Sequence, residues 1–255
     1  MEARLNRRDQ CDYNLLSQAE NYGGFPRGLY VPESRFGKWF IHTRAWSEYV
    51  LEYALGDLEG LIPDRLESYP SIVDVGCGWG LSLKLLHDRF RPRYLVAIDI
   101  DACMIAAARA EAQRQGLAVA FQITSGSRLK LPDRSVDLVF CHQTFHHIVD
   151  QEDALREFHR VLKPGGLLLL AESTRRFIYS WLIRLLFRHP MQVQRTAGEY
   201  LLMVRRAGFA VAPESIAYPY LWWSRPDLAI MERWFGIAPR PGYEATLINL
   251  AAIRS

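Results

Sequence analysis

The stretch Ile72-Val73-Asp74-Val75-Gly76-Cys77-Gly78-Trp79-Gly80, followed by a helical pattern from Leu81 to Leu86, carries more structural information than any other part of this 255-residue chain. It reads as strand, glycine loop and helix. Alternate glycines let the backbone turn sharply and approach a ligand where a Cβ would collide, as happens around nucleotide-like ligands. A dinucleotide loop of the G-x-G-x-x-G kind needs its third glycine at 81, under the pyrophosphate, and position 81 is Leu. Asp74 stands two residues before the first glycine. Its charge repels a pyrophosphate and favours a ligand that carries an ammonium and a sulfonium group, as S-adenosylmethionine does.

Asp74-x-Gly76-Cys77-Gly78-Trp79-Gly80 resembles the first motif of the class I S-adenosylmethionine-dependent methyltransferases, and four further segments follow in the order of that family. Tyr94-Leu-Val-Ala-Ile-Asp99 is an apolar run that ends in an acid about 20 residues beyond the loop, where nucleotide-binding α/β folds put a ribose-gripping carboxylate. Gly126-Ser127-Arg128-Leu129-Lys130-Leu131-Pro132 with Ser135-Val136-Asp137-Leu138-Val139 is similar to the family's loop after strand three and its fourth strand. His146-His147, Leu155-Arg156-Glu157 and Arg160-Val161-Leu162-Lys163-Pro164-Gly165-Gly166 are similar to its next helix and fifth strand. The resemblance spans residues 70–172. It implies S-adenosyl-L-methionine as cofactor, held by Asp74, Gly76, Cys77, Gly78, Gly80, Asp99, Ile100, Ser127, Arg128 and His142. In many members an acid on the third loop binds the adenine amino group; Ser127 occupies that place, with an uncharged, shorter acceptor.

The chain alternates strand 71–76, helix 80–90, strand 94–99, helix 101–114, strand 118–124, strand 136–142, helix 151–162 and strand 166–172. Such alternation gives a parallel sheet covered by helices on both faces, with ligands at the carboxyl ends of the strands. Asp150 is positioned to cap the helix 151–162. The resemblance adds two strands, near 209–217 and 245–253, as a hairpin that completes a seven-stranded Rossmann-like sheet. Residues 1–69 form an N-terminal segment, irregular to about 33 and helical from Ser34 to Leu58. Residues 70–255 form the cofactor-binding domain, with a lid insertion at 173–207.

A hydrophobic content of 49%, a charged content of 23% and a net charge of +3 describe an ordinary globular protein without the concentrated basic face that nucleic acid requires. Cys11, Cys77, Cys103 and Cys141 form no C-x-x-C pair, which fits a reducing cytoplasm. The N-terminus lacks the apolar core of a signal peptide, and no stretch reaches the roughly 18 apolar residues of a membrane span. Oligomeric state is not readable from these features.

Cys141-His142-Gln143-Thr144-Phe145-His146-His147 leaves the fourth strand toward the ligand. His142 and His146 would pair as metal ligands only on a helix, and no acid of suitable spacing completes a set, so no metal is expected. They stand instead as candidates for general base or acceptor orientation. Asp74 has a plain alternative as a buried acid that organises the loop, and Asp101 is a second acid beside Asp99, or a helix cap. In the lid, Arg176, Arg184 and Arg188 flank an apolar stripe of Phe177, Ile178, Trp181, Leu182 and Leu185. One reading is a helix packed on the core with its arginines in water; the other is a basic amphipathic helix on an anionic bilayer. Tyr218-Pro219-Tyr220-Leu221-Trp222-Trp223 and Trp234-Phe235 are either hairpin packing or the lining of an acceptor pocket.

Together these features point to methyl transfer onto a small hydrophobic or aromatic acceptor of quinone, lipid or polyketide type, in the cytoplasm or at a membrane surface. Two rivals are an enzyme of the same fold that uses the cofactor without methyl transfer, and a catalytically silent regulatory protein that only binds it.

Overall fold

A computed structural model of the chain describes residue 31 and residues 34–43, 46–219, 234–236 and 245–255. Five strands, β1 (Ser71–Val75), β2 (Tyr94–Asp99), β3 (Val119–Ile123), β4 (Val136–His142) and β5 (Leu162–Ser173), pair in parallel. Three antiparallel strands, β6 (Phe209–Ala210), β7 (Ile216–Ala217) and β8 (Leu247–Arg254), complete the sheet in the order β3-β2-β1-β4-β5-β8-β6, with β7 also against β8. The expected seventh lane is therefore present in two pieces. Pro213 begins a 3₁₀ turn, Pro213–Ser215, that interrupts the pairing between β6 and β7.

Central strands read as continuous apolar runs because both faces are covered. Val73, Val75, Val139, Cys141, Leu168 and Leu170 pack into one core, while Ile72, Leu138, Phe140, Leu167 and Leu169 pack into the other. This is the two-residue period of a pleated strand. The second core receives α2 (Glu52–Gly60), α3 (Leu81–Phe90) and α4 (Ala102–Arg114), through residues such as Leu55, Leu58, Leu83, Leu86 and Ile105. The first receives α5 (Gln151–Val161) and α8 (Ala197–Arg206), through Leu155, Phe158, Tyr200 and Val204. α1 (Arg35–Ile41) lies apart from both cores, over the carboxyl ends of the strands beside Trp46 and Phe187. A five-residue π-helical segment, Ser47–Leu51, leads from it into α2.

Side-chain caps close some of the helices and not others. Asp101 accepts the Cys103 amide at the start of α4, and Thr196 and Glu199 form a reciprocal capping box on α8. Asp150 occupies the cap position of α5, but its side chain makes no capping bond. The lid is not one helix. It consists of α6 (Arg175–Ile178), α7 (Trp181–Leu186) and a 3₁₀ turn at Met191–Val193. A stripe broken after four residues divides its side chains: Ile178 and Ile183 are buried, whereas Trp181 and Leu185 face outward. The aromatic residues 220–223 lie outside the described residues; Tyr218, Trp234 and Phe235 are exposed.

Candidate active site

β1 and β4 are neighbours, but β2 and β3 continue the chain to one side of them and β5 to the other. The carboxyl ends of β1 and β4 therefore open a crevice at the point where strand order reverses. The glycine loop enters it tied to β2, since the amides of Gly76 and Cys77 both donate to the Ile98 carbonyl, at 2.7 and 3.0 Å. Gly76 adopts φ +78°, and a Cβ there would overlap the Thr144 side chain. Asp99 Oδ2 accepts the Gly78 amide at 3.0 Å and Oδ1 accepts the Asp101 amide at 2.9 Å, so one carboxylate fixes the loop from the end of β2.

Asp74, Gly76, Cys77, Gly78, Asp99, Ile100 and His142 all face the resulting cavity. Burial, opposed by the Ser82 hydroxyl bond and reinforced by Asp99, pushes the Asp74 carboxyl up to about 7. Burial also pushes Asp99 up to about 6, against the pull of its amide donors. Two acids held this far above their usual range, with no cation bonded to either carboxylate among the described residues, make a site that a positively charged ligand would stabilise. The indole Nε1 of Trp79 and the Nε2 of His142 are buried and have no hydrogen-bond partner among the described residues. Burial, then His146, lowers His142 to about 3, which makes it a neutral group of low basicity.

Three of the expected cofactor residues stand elsewhere. Gly80 begins α3 at φ +78° and is turned to α4, where a Cβ would lie 2.9 Å from the Ala108 Cα; it serves helix packing and does not line the cavity. Ser127 and Arg128 also lie off its walls. The Ser127 hydroxyl turns back onto Ser125 at 2.8 Å, and Thr124, Ser125 and Gly126 form that wall instead. Trp79, Met104 and Thr144 are among the lining residues that the sequence did not single out for the cofactor.

A second cavity of about 310 Å³ lies alongside, between α1, the π segment and the lid. Phe36, Phe40, Phe177, Leu182, Ile183, Leu186 and Phe187 make its walls almost wholly apolar. Ile41, Trp46, Gln143 and His147 line both cavities, which places them at the junction. Gln143 holds φ +49° there, uncommon for a residue with a Cβ, and its Oε1 accepts the Ser173 hydroxyl at 2.5 Å.

His146 opens onto this second cavity and not onto the first. Its partner is Glu172, fully buried near the end of β5, which receives the Thr144 and Phe145 amides at 2.9 and 2.7 Å and lies 2.6 Å from His146 Nδ1. A carboxylate already accepting two amides has the imidazole as donor, so Nδ1 carries the proton and Nε2 has the lone pair. His147 and His189 complete a cluster, with ring centroids 4.3, 5.2 and 4.9 Å apart for the pairs 146/147, 146/189 and 147/189. Burial holds His147 well below the usual histidine range and His189 at about 3, and in both the neighbouring His146 adds to the effect. His142 and His146, both candidates for general base, thus stand in different cavities, and His146 belongs to a set whose third member is His189.

Residues 73–170 match the family described as a methyltransferase domain. Malonyl-[acyl-carrier protein] O-methyltransferase 1 of Coxiella burnetii is 35% identical over 100 residues, covering 39% of this chain and 32% of that protein. Demethylmenaquinone methyltransferase of Thermus thermophilus is 36% identical over 108 residues, covering 42% of this chain and 49% of the relative. The chain thus spans 32 to 49% of the length of these curated relatives. A crystal structure of an S-adenosylmethionine-dependent methyltransferase from Aquifex aeolicus shares the fold, with a TM-score of 0.60 at 18% identity, covering 86% of this chain and 97% of that one.

Proposed function

We propose, from the match of residues 73–170 to a methyltransferase domain, that the chain is a class I S-adenosylmethionine-dependent methyltransferase that methylates a small hydrophobic or aromatic acceptor held in its apolar cavity. The observation that carries this reading is the junction: a polar, acid-lined cavity and an apolar one share Ile41, Trp46, Gln143 and His147. A cavity of about 310 Å³ suits an acceptor of drug size.

The residues present fit S-adenosylmethionine. Asp74 is buried, has the Ser82 hydroxyl as partner and would face the cationic end; Asp99 has acceptor capacity beyond its backbone amide donors for the ribose; Trp79 Nε1 and His142 Nε2 offer unfilled polar positions. When bound, this cofactor supplies an electrophilic methyl group on a sulfonium. The chain's task is then alignment and exclusion of water. Ile41, Trp46 and Gln143 bound the junction, and the Ser173 hydroxyl holds the Gln143 side chain in place. An acceptor hydroxyl or enol must also lose a proton. Of the two histidines expected to do this, His142 is the weaker, being held neutral at about 3 by burial, and His146, oriented by Glu172 and open to the apolar cavity, is better placed.

A panel of quinols, phenols, fatty-acyl esters and lipids, incubated with methyl-labelled cofactor, tests the proposal. Label in an apolar product is expected; turnover confined to free amino acids or nucleic acid would overturn it. The two rivals have their own signatures, a product without an added methyl or tight cofactor binding without any turnover. A second reading, that the acceptor is a membrane lipid, is favoured by Trp39, Trp181 and Leu185, which are 62, 71 and 72% exposed on the elements that enclose the apolar cavity. On this reading the contact is made at the membrane surface by these exposed side chains; no helix among the described residues is long and apolar enough to cross a membrane.

A further inference from the structure

We propose that His146, His147 and His189 bind a divalent transition-metal cation of the zinc class at the edge of the apolar cavity. One ring nitrogen from each lies within 4.8 Å of the other two. Neutral imidazole is the form that coordinates such ions, and three of them with an open fourth position form the donor set of a catalytic zinc site. The trio also has the support that such sites need. Glu172 is fully buried and holds His146 Nδ1 at 2.6 Å, which fixes the ring and leaves Nε2 as its coordinating atom. Among the described residues no hydrogen bond joins the side chain of His147 or His189 to another group, and each ring packs against the other and against His146.

Placement gives the ion two consequences. His146 and His147 sit in one 3₁₀ turn after β4, and His189 sits in the lid between α7 and the Met191–Val193 turn. A bound cation would therefore clamp the lid to the turn, alongside Gln194, whose Nε2 already donates to the carbonyls of His146 and Pro190 at 2.9 Å each. The fourth position would face the apolar cavity that all three histidines line. An acceptor hydroxyl coordinated there would be more acidic and would release its proton to solvent water, so the ion would replace the general-base role of His146, whose Nε2 is then a ligand. This consequence rests on the methyl-transfer reading; metal binding itself does not.

The test uses the full chain, stripped with a chelator and titrated with zinc chloride by calorimetry, then with cobalt chloride by visible absorption. One equivalent is expected, with an intense tetrahedral cobalt spectrum. His189→Ala should weaken zinc binding at least about 100-fold and Glu172→Gln about 10–100-fold, while His87→Ala, at an exposed histidine on α3, should bind as the parent does. If His189→Ala does not fold, His189→Gln replaces it, with S-adenosylhomocysteine binding as the check of an intact fold. Absence of stoichiometric zinc binding, or equal binding in the His189 variant, overturns the proposal. S-adenosylhomocysteine binding without zinc binding removes the metal and leaves the methyl-transfer reading in place; zinc binding without S-adenosylhomocysteine binding does the reverse.

Discussion

Replacing Glu172 by Gln separates structure from chemistry at the centre of the site. The parent carboxylate receives the Thr144 amide at 2.9 Å, the Phe145 amide at 2.7 Å, the His146 amide at 3.4 Å and His146 Nδ1 at 2.6 Å. Glutamine preserves the shape and keeps one oxygen for Thr144 and Phe145. Its NH₂ replaces the second oxygen, so the imidazole must become an acceptor at Nδ1 and move its proton to Nε2. Exchanging a charge-assisted hydrogen bond for a neutral one, and setting the amide nitrogen against the His146 N–H, costs about 1–3 kcal/mol. For a domain of this size that lowers Tm by roughly 2–10 °C. Function should suffer far more, because the Nε2 lone pair that faces the apolar cavity is gone: kcat should fall about 10²–10⁴-fold while S-adenosylhomocysteine affinity is unchanged. The assay pairs thermal unfolding with methyl transfer to an acceptor found in the panel. A folded Glu172→Gln chain with the parent kcat would refute the role given to the Glu172–His146 pair.

Asp99→Asn should weaken S-adenosylhomocysteine binding by at least about tenfold in calorimetry, since a neutral amide cannot accept from the Gly78 and Asp101 N–H groups and both ribose hydroxyls together. Cofactor affinity should fall with acidity: the free protein holds Asp74 at about 7 and Asp99 at about 6, the cationic ligand binds their ionised forms, and so binding releases protons. The Kd should rise by up to about tenfold per pH unit between pH 7 and 6 and by up to about a hundredfold per unit below pH 6, where both acids are protonated in the free protein, seen as proton release in buffers of different ionisation enthalpy, and a Kd flat from pH 8 to 5 would contradict this. Gly76→Ala should cost well over about 1 kcal/mol, because the new Cβ is strained at φ +78° and meets Thr144; denaturant unfolding measures it. Trp181→Ser with Leu185→Ser should abolish sedimentation with anionic vesicles if the acceptor is drawn from a membrane, and leave turnover on soluble acceptors unchanged.

The sheet was readable because strands buried on both faces leave continuous apolar runs, and the loop because Gly76 and Asp74 meet steric and charge demands that few residues satisfy. Sequence pattern and structure part where tertiary contact outweighs local pattern. Ser127 is two residues from Ser125, and only the turn held by the Arg128 amide to the Ser125 carbonyl decides which of them lines the cavity. Gly80 looks like a ligand glycine in sequence but answers to Ala108 on α4. Glu172 did carry a signal, since an acid that directly follows the run Leu167–Ala171 must be buried and therefore bonded. His189 carried none, because its partnership with His146 and His147 depends on the path of the lid.

Calorimetry of the purified chain with S-adenosylmethionine and S-adenosylhomocysteine, beside a nicotinamide dinucleotide and a nucleoside triphosphate, tests the central claim most directly. One equivalent of each sulfur compound should bind, and neither nucleotide should compete. Saturable binding of either nucleotide, with no heat from the sulfur compounds, would contradict the account of the glycine loop and of everything built upon it.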